Sequence, residues 1–281
     1  MALEPVHAVI YFAPECRDSL RTIGLRRFWP GYFGARAAPL GPVGPATVSA
    51  LFFNFHPAMV SRAIPEAWSL AELPAIIEAR RSGAAAALRR MAPDADEMSA
   101  AVLPALERVI DAADGSGRSL FSANRELPGS GDPVESLWQA CTTLREHRGD
   151  GHVAALTAAG LSGCEALVLF SATQQVPAEM FRQSRGWSES EWENSRQALE
   201  GRGLLVGAEP SPSGTALREW IEGVTDDLAG NPLGALDVDE PMALTRALAV
   251  LADQIVGSGV IPFPNPIGLP GPGSGAPVEP G

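Results

Sequence analysis

The chain has 281 residues, of which 46% are hydrophobic, and its formal net charge is −12. This length and composition exclude a disordered chain and allow two domains with hydrophobic cores. The acidic total also argues against a broadly basic surface for nucleic acid, so DNA contact would need a local basic patch. All fixed basic side chains are arginines, because the sequence contains no lysine.

The sequence predicts a cytoplasmic protein with no membrane partner. No basic segment followed by an apolar run opens the chain, and no apolar run reaches the roughly 18 residues of a membrane span. The three cysteines, Cys16, Cys141 and Cys164, have no paired spacing. We therefore expect them to be small buried residues rather than disulfide partners.

The first predicted unit spans residues 5–128 and is helical. Its densest basic cluster lies in EARRSGAAAALRRM, with arginines at 80, 81, 89 and 90. A DNA-binding patch is one interpretation of this cluster. The favoured interpretation is a solvated helix surface, since charge runs on helices usually face water.

The stretch LREHRGDGHVAAL (144–156) places six charged or histidine side chains around two glycines. We predict that a helix ends there at Gly149 to Gly151 and that a second helix begins near His152, with Asp150 as its N-cap. A metal site is not expected, because His147 and His152 are five residues apart rather than four and no further cysteine or histidine set accompanies them.

The second predicted unit, residues 133–230, follows the order of a winged helix-turn-helix. An apolar helix (GCEALVLFSATQQ) precedes a short helix (PAEMFRQSRG) and a helix that Ser188 and Glu191 open as a capping box. Two short extended pieces around a Pro/Gly turn (LLVGAEPSPSG) and a further helix follow. This order predicts a recognition helix, a β-hairpin wing and a closing helix.

The last two predicted segments are a helix at 240–258 and a disordered tail at 260–281. The helix (DEPMALTRALAVLADQIVGSG) is apolar enough to need a partner, either the body of the protein or a second copy in a homodimer. The tail is rich in proline and glycine, which predicts that it does not fold and can be deleted without loss of stability.

At ESEWENSRQALEGRGLL and PSPSGTALREWIE the chain resembles the recognition helix, wing and closing helix of MarR-type winged-helix proteins. With HAVIYFAPE, YFGARAAPLGPVG and SRGWSESEW, the wider pattern resembles an actinobacterial helix-turn-helix family over about residues 5–230. The resemblance implies a mainly α fold. It says little about activity, because a fold does not fix function.

The chain also resembles itself at an offset of 119 residues. LRRFWPGYFGARAAPLGPVG (25–44) aligns without a gap to LREHRGDGHVAALTAAGLSG (144–163), and an apolar helix is predicted after each. Further on, each copy has Pro-Ala, an arginine and a Trp-Ser pair predicted to open a helix. The full prediction is thus a mainly α protein of tandem winged helix-turn-helix-like units, with a C-terminal helix and a disordered tail.

Polar residues in apolar surroundings are the candidate ligand-binding residues. Glu165, inside GLSGCEALVLF, needs a partner when buried, and Arg145, Arg148 or His152 could provide one. If the two units face each other, these side chains could line one cleft with a polar set from the first unit, which His7 and Tyr11 could join. The predicted ligand-binding residues are Arg36, Asn54, His56, Arg148, His152 and Glu165.

Three functions remain open on the sequence alone. A small-molecule-binding regulator or binding module is favoured, and no cofactor is expected because no phosphate-binding or dinucleotide motif occurs. An enzyme acting on a small molecule around Arg148, His152 and Glu165 is an alternative. A DNA-binding regulator is disfavoured, because residues 178–214 carry four arginines against six glutamates and the predicted wing tip has no basic residue.

Overall fold

The computed structural model describes residues 2–174, 177–269 and 271, and within them the regular structure is helical apart from one short hairpin. Several N-terminal helices have proline in the first turn, where its missing N–H has no helical partner to lose. The helices of this half are α1 (Leu3–Phe12), α2 (Pro14–Thr22), α3 (Phe28–Ala37), α4 (Pro45–Leu51), α5 (Pro57–Leu70), α6 (Leu73–Met91), α7 (Ala95–Ala112) and α8 (Ser119–Arg125).

A single long helix, α9 (Pro133–Ala158), crosses the stretch that was predicted to break. Asp132 caps its start by accepting hydrogen bonds from the N–H groups of Val134 (2.8 Å) and Glu135 (3.1 Å). The predicted break is wrong because the glycines serve packing. A Cβ on Gly151 would lie 2.8 Å from the Arg118 guanidinium, which donates to the carbonyl of His147 at 2.6 Å.

Asp150 is likewise not an N-cap. It lies inside α9 and accepts a hydrogen bond from the N–H of Phe121 (2.9 Å), so it holds the start of α8 against the long helix. Burial raises the pKa of Asp150 to about 6.

Residues 163–230 have the predicted order of helices around one hairpin, and we call this part the winged helix. Ser188 and Glu191 form the expected capping box at the start of the recognition helix, and Leu205 pairs with Pro210 and Val206 with Glu209 in the two-stranded hairpin. The elements are α10 (Gly163–Gln174), α11 (Ala178–Arg185), α12 (Glu189–Gly201), β1 (Leu205–Val206), β2 (Glu209–Pro210) and α13 (Pro212–Gly230).

The long helix α9 contributes to two hydrophobic cores. Its first half, with Trp138 fully buried, packs with α1, α6, α7 and the C-terminal helix α14 (Glu240–Gly257). Its last turn packs with the winged helix, where Leu169, Leu199 and Ile221 form the centre. The division into units 5–128 and 133–230 stays a prediction. The helix α9 belongs to the core of the N-terminal helices and to the core of the winged helix.

The duplication finds mixed support in the helices. Both aligned segments are helical, α3 in the first copy and the end of α9 in the second. Trp187 and Ser188 open α12, however, whereas Trp68 and Ser69 lie at the end of α5. Within the described residues the first copy also has no hairpin.

The beginning of the predicted disordered tail packs against the protein. Ile261 is 2% exposed, and Asn265 is 1% exposed and exchanges two hydrogen bonds of 3.0 Å with the backbone of Leu269. The prediction of a disordered segment is therefore wrong for residues 260–269. Apolar residues placed between the prolines let this stretch bury surface, which its overall composition conceals. The rest of the tail lies outside the described residues, except Gly271.

Candidate functional site: an arginine-lined cavity

A cavity of about 570 Å³ lies where the N-terminal helices meet the winged helix. Its walls come from α1, α3, α9, α10, α11 and α13, from the end of α4 and the segment between α4 and α5, and from residues 266–269. Apolar side chains from both halves cover much of it. Five arginines and three carboxylates also line it: Arg36, Arg145, Arg148, Arg185, Arg218, Glu4, Glu222 and Asp226. In a chain of net charge −12, this cavity has a local excess of positive charge.

One wall of the cavity is a buried ion-pair cluster centred on Glu146. Arg36 donates two hydrogen bonds to this carboxylate, at 2.8 and 2.9 Å, and Arg145 donates a third at 3.1 Å. The Glu146 side chain is 1% exposed. Burial alone would raise the pKa of Glu146, but the charges of Arg36 and Arg145 outweigh it and hold that pKa well below its ordinary value. Glu146 therefore stays ionised and fixes both arginines.

A second charge network lies between α9 and α13. Arg148 donates to Glu222 (2.8 Å) and to Asp226 (2.9 Å), and Arg218 also donates to Glu222. The Nε atoms of Arg148 and Arg218 are buried and have no hydrogen-bond partner among the described residues. These two donors remain available to an acceptor in the cavity.

Arg185, at the end of α11, differs from the other four cavity arginines in its partners. Its guanidinium donates to the Ser184 hydroxyl (3.3 Å) and to the carbonyl of Pro266, and it lies 4.5 Å from the centre of the Phe55 ring. No carboxylate among the described residues pairs with it. Burial lowers the pKa of Arg185. It is thus a cavity cation held by neutral groups.

His152 lies beside the second network in its neutral form. Its Nδ1 forms a hydrogen bond of 3.0 Å with the Thr225 hydroxyl and lies 3.9 Å from a carboxylate oxygen of Glu222. Burial lowers the pKa of His152 to about 4, and Glu222 offsets this only in part. Arg145, Arg148 and His152 share one face of α9, because residues three and seven positions apart line up on a continuous helix.

Four of the six predicted ligand-binding residues, Arg36, Asn54, Arg148 and His152, line this cavity. The Oδ1 atom of Asn54 is buried and has no hydrogen-bond partner in the described part of the chain. His56 does not line the cavity. It caps α5 by accepting from the N–H of Ala58 (3.1 Å), and its Nε2 lies 2.8 Å from the Glu191 carboxylate at the start of α12.

Glu165 lies apart from His152, and the predicted pairing between them is wrong. Its carboxylate accepts from the N–H of Ser162 (2.8 Å), while its own N–H donates to the Ser162 hydroxyl (3.2 Å). This reciprocal arrangement caps α10, and Arg202 is the nearby cation at 4.0 Å. The trio proposed for an enzyme, Arg148, His152 and Glu165, is therefore not assembled. Glu222 takes the place beside His152.

Three cavity residues were not predicted from the sequence: Arg185, Arg218 and Glu222. All three belong to the winged helix, where arginines are expected to face DNA rather than the interior. Arg145 was named only as a partner for Glu165. Its spacing from Arg148 and His152 was a usable signal, but the assumed break at the glycines hid it.

The surface that a winged helix would present to DNA offers few free cations. Arg196 on α12 pairs with Glu193 and Glu200, both at 2.6 Å, and Arg202 donates to the carbonyls of Ala159 and Gly160. The N-terminal end of α12 is also occupied within the protein, since the Trp187 indole donates to the backbone of the segment before α5.

No metal or membrane element is evident among the described residues. They hold no group of three or more His, Cys, Asp or Glu side chains placed to bind a metal ion, and all three cysteines are buried and free. No single described helix is long and apolar enough to cross a membrane, and α9 and α10 reach that threshold only as a pair bent by 98°.

Comparison with known proteins adds a family but no individual relative. No curated protein and no solved structure matches the chain significantly. A model described as a helix-turn-helix family matches residues 1–262, which covers the N-terminal helices, the winged helix and α14. This protein therefore belongs to that helix-turn-helix family.

Proposed function

We propose that the protein is a helix-turn-helix regulator or binding module whose arginine-lined cavity binds a small organic anion, with weak or no direct contact to DNA. The observation that carries the proposal is Arg185, a cavity arginine whose hydrogen bonds go to a hydroxyl and a carbonyl instead of a carboxylate. A carboxylate or phosphate group of a ligand would give this guanidinium a bidentate anionic partner.

The size and lining of the cavity support a small molecule as its occupant. About 570 Å³ lies within the roughly 300–1,000 Å³ range of small-molecule sites. The orphan Nε atoms of Arg148 and Arg218 would donate to the ligand, and the orphan Oδ1 of Asn54 would accept from it. Buried polar atoms without partners are costly, so a ligand that satisfies them gains affinity.

The position of Arg185 would couple the cavity to the recognition helix. The backbone carbonyl of Arg185 accepts a hydrogen bond of 2.9 Å from the N–H of His56. Gly186 follows with φ of +79°, and α12 begins at Glu189. A ligand held by Arg185 therefore acts on the turn that sets the direction of α12, which is the feature a ligand-responsive winged helix needs.

A thermal-shift screen tests the proposal. The protein is mixed with a panel of small non-aromatic carboxylic and phosphorylated acids and with the neutral amide or alcohol of each. We expect at least one acid to raise the melting temperature in a saturable manner while its neutral counterpart does not. The proposal fails if no acid shifts the melting temperature, or if acids and neutral counterparts shift it equally.

Direct DNA binding is the second candidate, and the family membership together with the helix order favours it. A gel shift at low salt with mixed genomic fragments tests it. Because the one arginine of α12, Arg196, is paired with two glutamates, we expect weak binding that disappears as salt is added. Tight, sequence-specific binding that survives physiological salt would make the protein a conventional DNA-binding regulator.

The likeness to MarR-type proteins, the tandem arrangement and a homodimer are finer parts of the same proposal. The duplication requires that residues 25–83 superpose on residues 144–203. A homodimer requires a molar mass in solution of twice 29.4 kDa, measured by light scattering.

A further inference from the structure

A second cavity of about 250 Å³ lies among the N-terminal helices, on the other side of the Glu146 cluster. Tyr11, Tyr32 and Arg36 line both cavities and form the wall between them. Apolar and aromatic side chains make up most of this second lining, in particular Ile10, Leu20, Leu25, Phe28 and Trp138. We call it the aromatic cavity.

Besides Arg36 and Glu146, which pair with each other, the buried part of this lining holds one more charged group, Arg80, which is only 2% exposed. Its guanidinium donates to the carbonyl of Ala35 (3.0 Å) and to the side-chain oxygens of Asn124 and Gln139 (both 2.8 Å). Its Nε has no partner among the described residues. All the groups that hold this buried cation are therefore neutral.

The surroundings of Arg80 disfavour its charge. Burial lowers the pKa of Arg80 to about 9. The carboxylate of Glu146 acts on it from a distance, but that carboxylate is already bonded by Arg36 and Arg145. A buried charge without a paired counter-ion is expensive, and an anion that enters the cavity would remove part of that cost.

The shape of the cavity points to a ring. The Arg80 guanidinium lies 5.3 Å from the centre of the Trp138 ring, and the His7 ring is stacked on Trp138 at 6.5 Å. An apolar cavity of about 150 Å³ holds benzene, so about 250 Å³ leaves room for one ring with a short acidic substituent. His7, Tyr11 and Thr142 are already joined by hydrogen bonds of 2.9 and 3.0 Å.

The entrance of the cavity is basic. Arg17, Arg21, Arg26 and Arg27 belong to its lining and are exposed at α2 and the turn before α3. Arg21 pairs with Asp18 and Arg27 with Glu66, whereas Arg17 and Arg26 form no ion pair within the described residues. Such a rim attracts anions to the mouth of the cavity in a protein that repels them overall.

We infer that the aromatic cavity is a binding site for a small aryl carboxylate, whose ring packs beside Trp138 and whose carboxylate pairs with Arg80. This site does not depend on the function proposed for the larger cavity. It uses a different arginine, and its ligand has to be flat and compact. A ligand of the larger cavity needs neither property.

Calorimetric titration with phenylacetate and with its neutral amide, phenylacetamide, tests the site in the full-length protein. We expect phenylacetate to bind and phenylacetamide to bind about 10- to 100-fold more weakly, since the amide lacks the charge that Arg80 needs. No binding of phenylacetate up to about 10 mM, where even a millimolar ligand is mostly bound, overturns the inference. Equal binding of acid and amide overturns it too.

Three variants locate the binding. Arg80→Gln should weaken phenylacetate by about 10- to 100-fold, while Arg81→Gln, its buried neighbour outside the lining, should change it little. If Arg80→Gln does not fold, Gly31→Leu decides. Gly31 lines the cavity on α3, and an added Cβ there meets only ordinary contacts, the nearest at 3.7 Å. Filling the cavity in this way should abolish binding.

Two results would place the ligand elsewhere and overturn the inference. One is unchanged binding by a folded Gly31→Leu variant. The other is a loss of phenylacetate binding in Arg185→Gln, which changes an arginine that lines only the larger cavity and leaves Arg80 intact. Failure of the acid screen for the larger cavity would, in contrast, leave the Arg80 result untouched.

Discussion

Replacing Glu146 by glutamine should be among the most destabilising isosteric changes in this protein. The carboxylate is 1% exposed and accepts three hydrogen bonds from two arginines. The amide keeps the volume but removes the charge, so Arg36 loses its only carboxylate partner among the described residues, and Arg145 keeps only Glu4 at 3.5 Å. Breaking a buried ion pair on one side costs about 3–5 kcal/mol, and we expect a loss in that range for Glu146→Gln.

Urea unfolding at pH 7 measures this loss. The matched control is Glu193→Gln, which breaks an exposed pair with Arg196 and should lower the stability far less than Glu146→Gln. The folded-state pKa of Glu146 is depressed, so its contribution is present above the unfolded value of 4.5 and is lost as the pH falls below it. The difference in free energy of unfolding between wild type and Glu146→Gln should therefore become smaller at acidic pH. A loss under about 1 kcal/mol at pH 7 would refute the reasoning.

Two further predictions concern pH and the C-terminal segment. Burial lowers the pKa of His152 and His147 to about 4 and the pKa of His7 well below its ordinary value. Each of these histidines therefore binds a proton on unfolding as the pH falls from 7 towards 5. The free energy of unfolding should decrease over this range, by up to about 1.4 kcal/mol per pH unit for each histidine. The raised pKa of Asp150 has the opposite effect on stability below about pH 6, because unfolding releases its proton, and it offsets the proton taken up by one histidine. Unchanged stability between pH 7 and pH 5 would contradict the lowered histidine pKa values. Deleting residues 260–281 should lower the melting temperature by several degrees in a thermal melt, because it removes buried apolar surface, whereas a change within a degree would restore the view of an unpacked tail.

Local signals in the sequence predicted the winged helix well. Ser188 and Glu191 satisfy a capping rule that depends only on residues three apart, and it holds in the structure. The hairpin followed from a Pro/Gly turn between short extended pieces, and the helix at 240–258 from its apolar repeat. Such features are decided within a few residues of the chain.

One error came from a distant contact and another from a local capping pattern. Gly149 and Gly151 looked like a helix break, but α9 is continuous and the space beside Gly151 is filled by Arg118 from another part of the chain. Glu165 looked like a buried carboxylate in need of an arginine, and a serine three residues before it provided the partner. Ser162 and Glu165 have the same three-residue spacing as Ser188 and Glu191 at the start of α12, so the capping pattern was present in the sequence.

The candidate site shows the same division between local and distant information. Apolar context selected Arg36 and Asn54, and the expected pairing with Glu165 selected Arg148 and His152; the fold brings all four to one cavity. It could not select Arg185, because its position in the lining depends on how the winged helix docks on the N-terminal half.

Titration of the acid found in the screen into the Arg185→Gln variant tests directly whether Arg185 binds a ligand in the larger cavity. The matched control is Arg182→Gln, an arginine on the same helix that is paired with Glu179 and does not line the cavity. We expect Arg185→Gln to weaken binding of the acid by about 10- to 100-fold and Arg182→Gln to leave it unchanged. Equal affinities in the wild type and both variants, all folded, would contradict it.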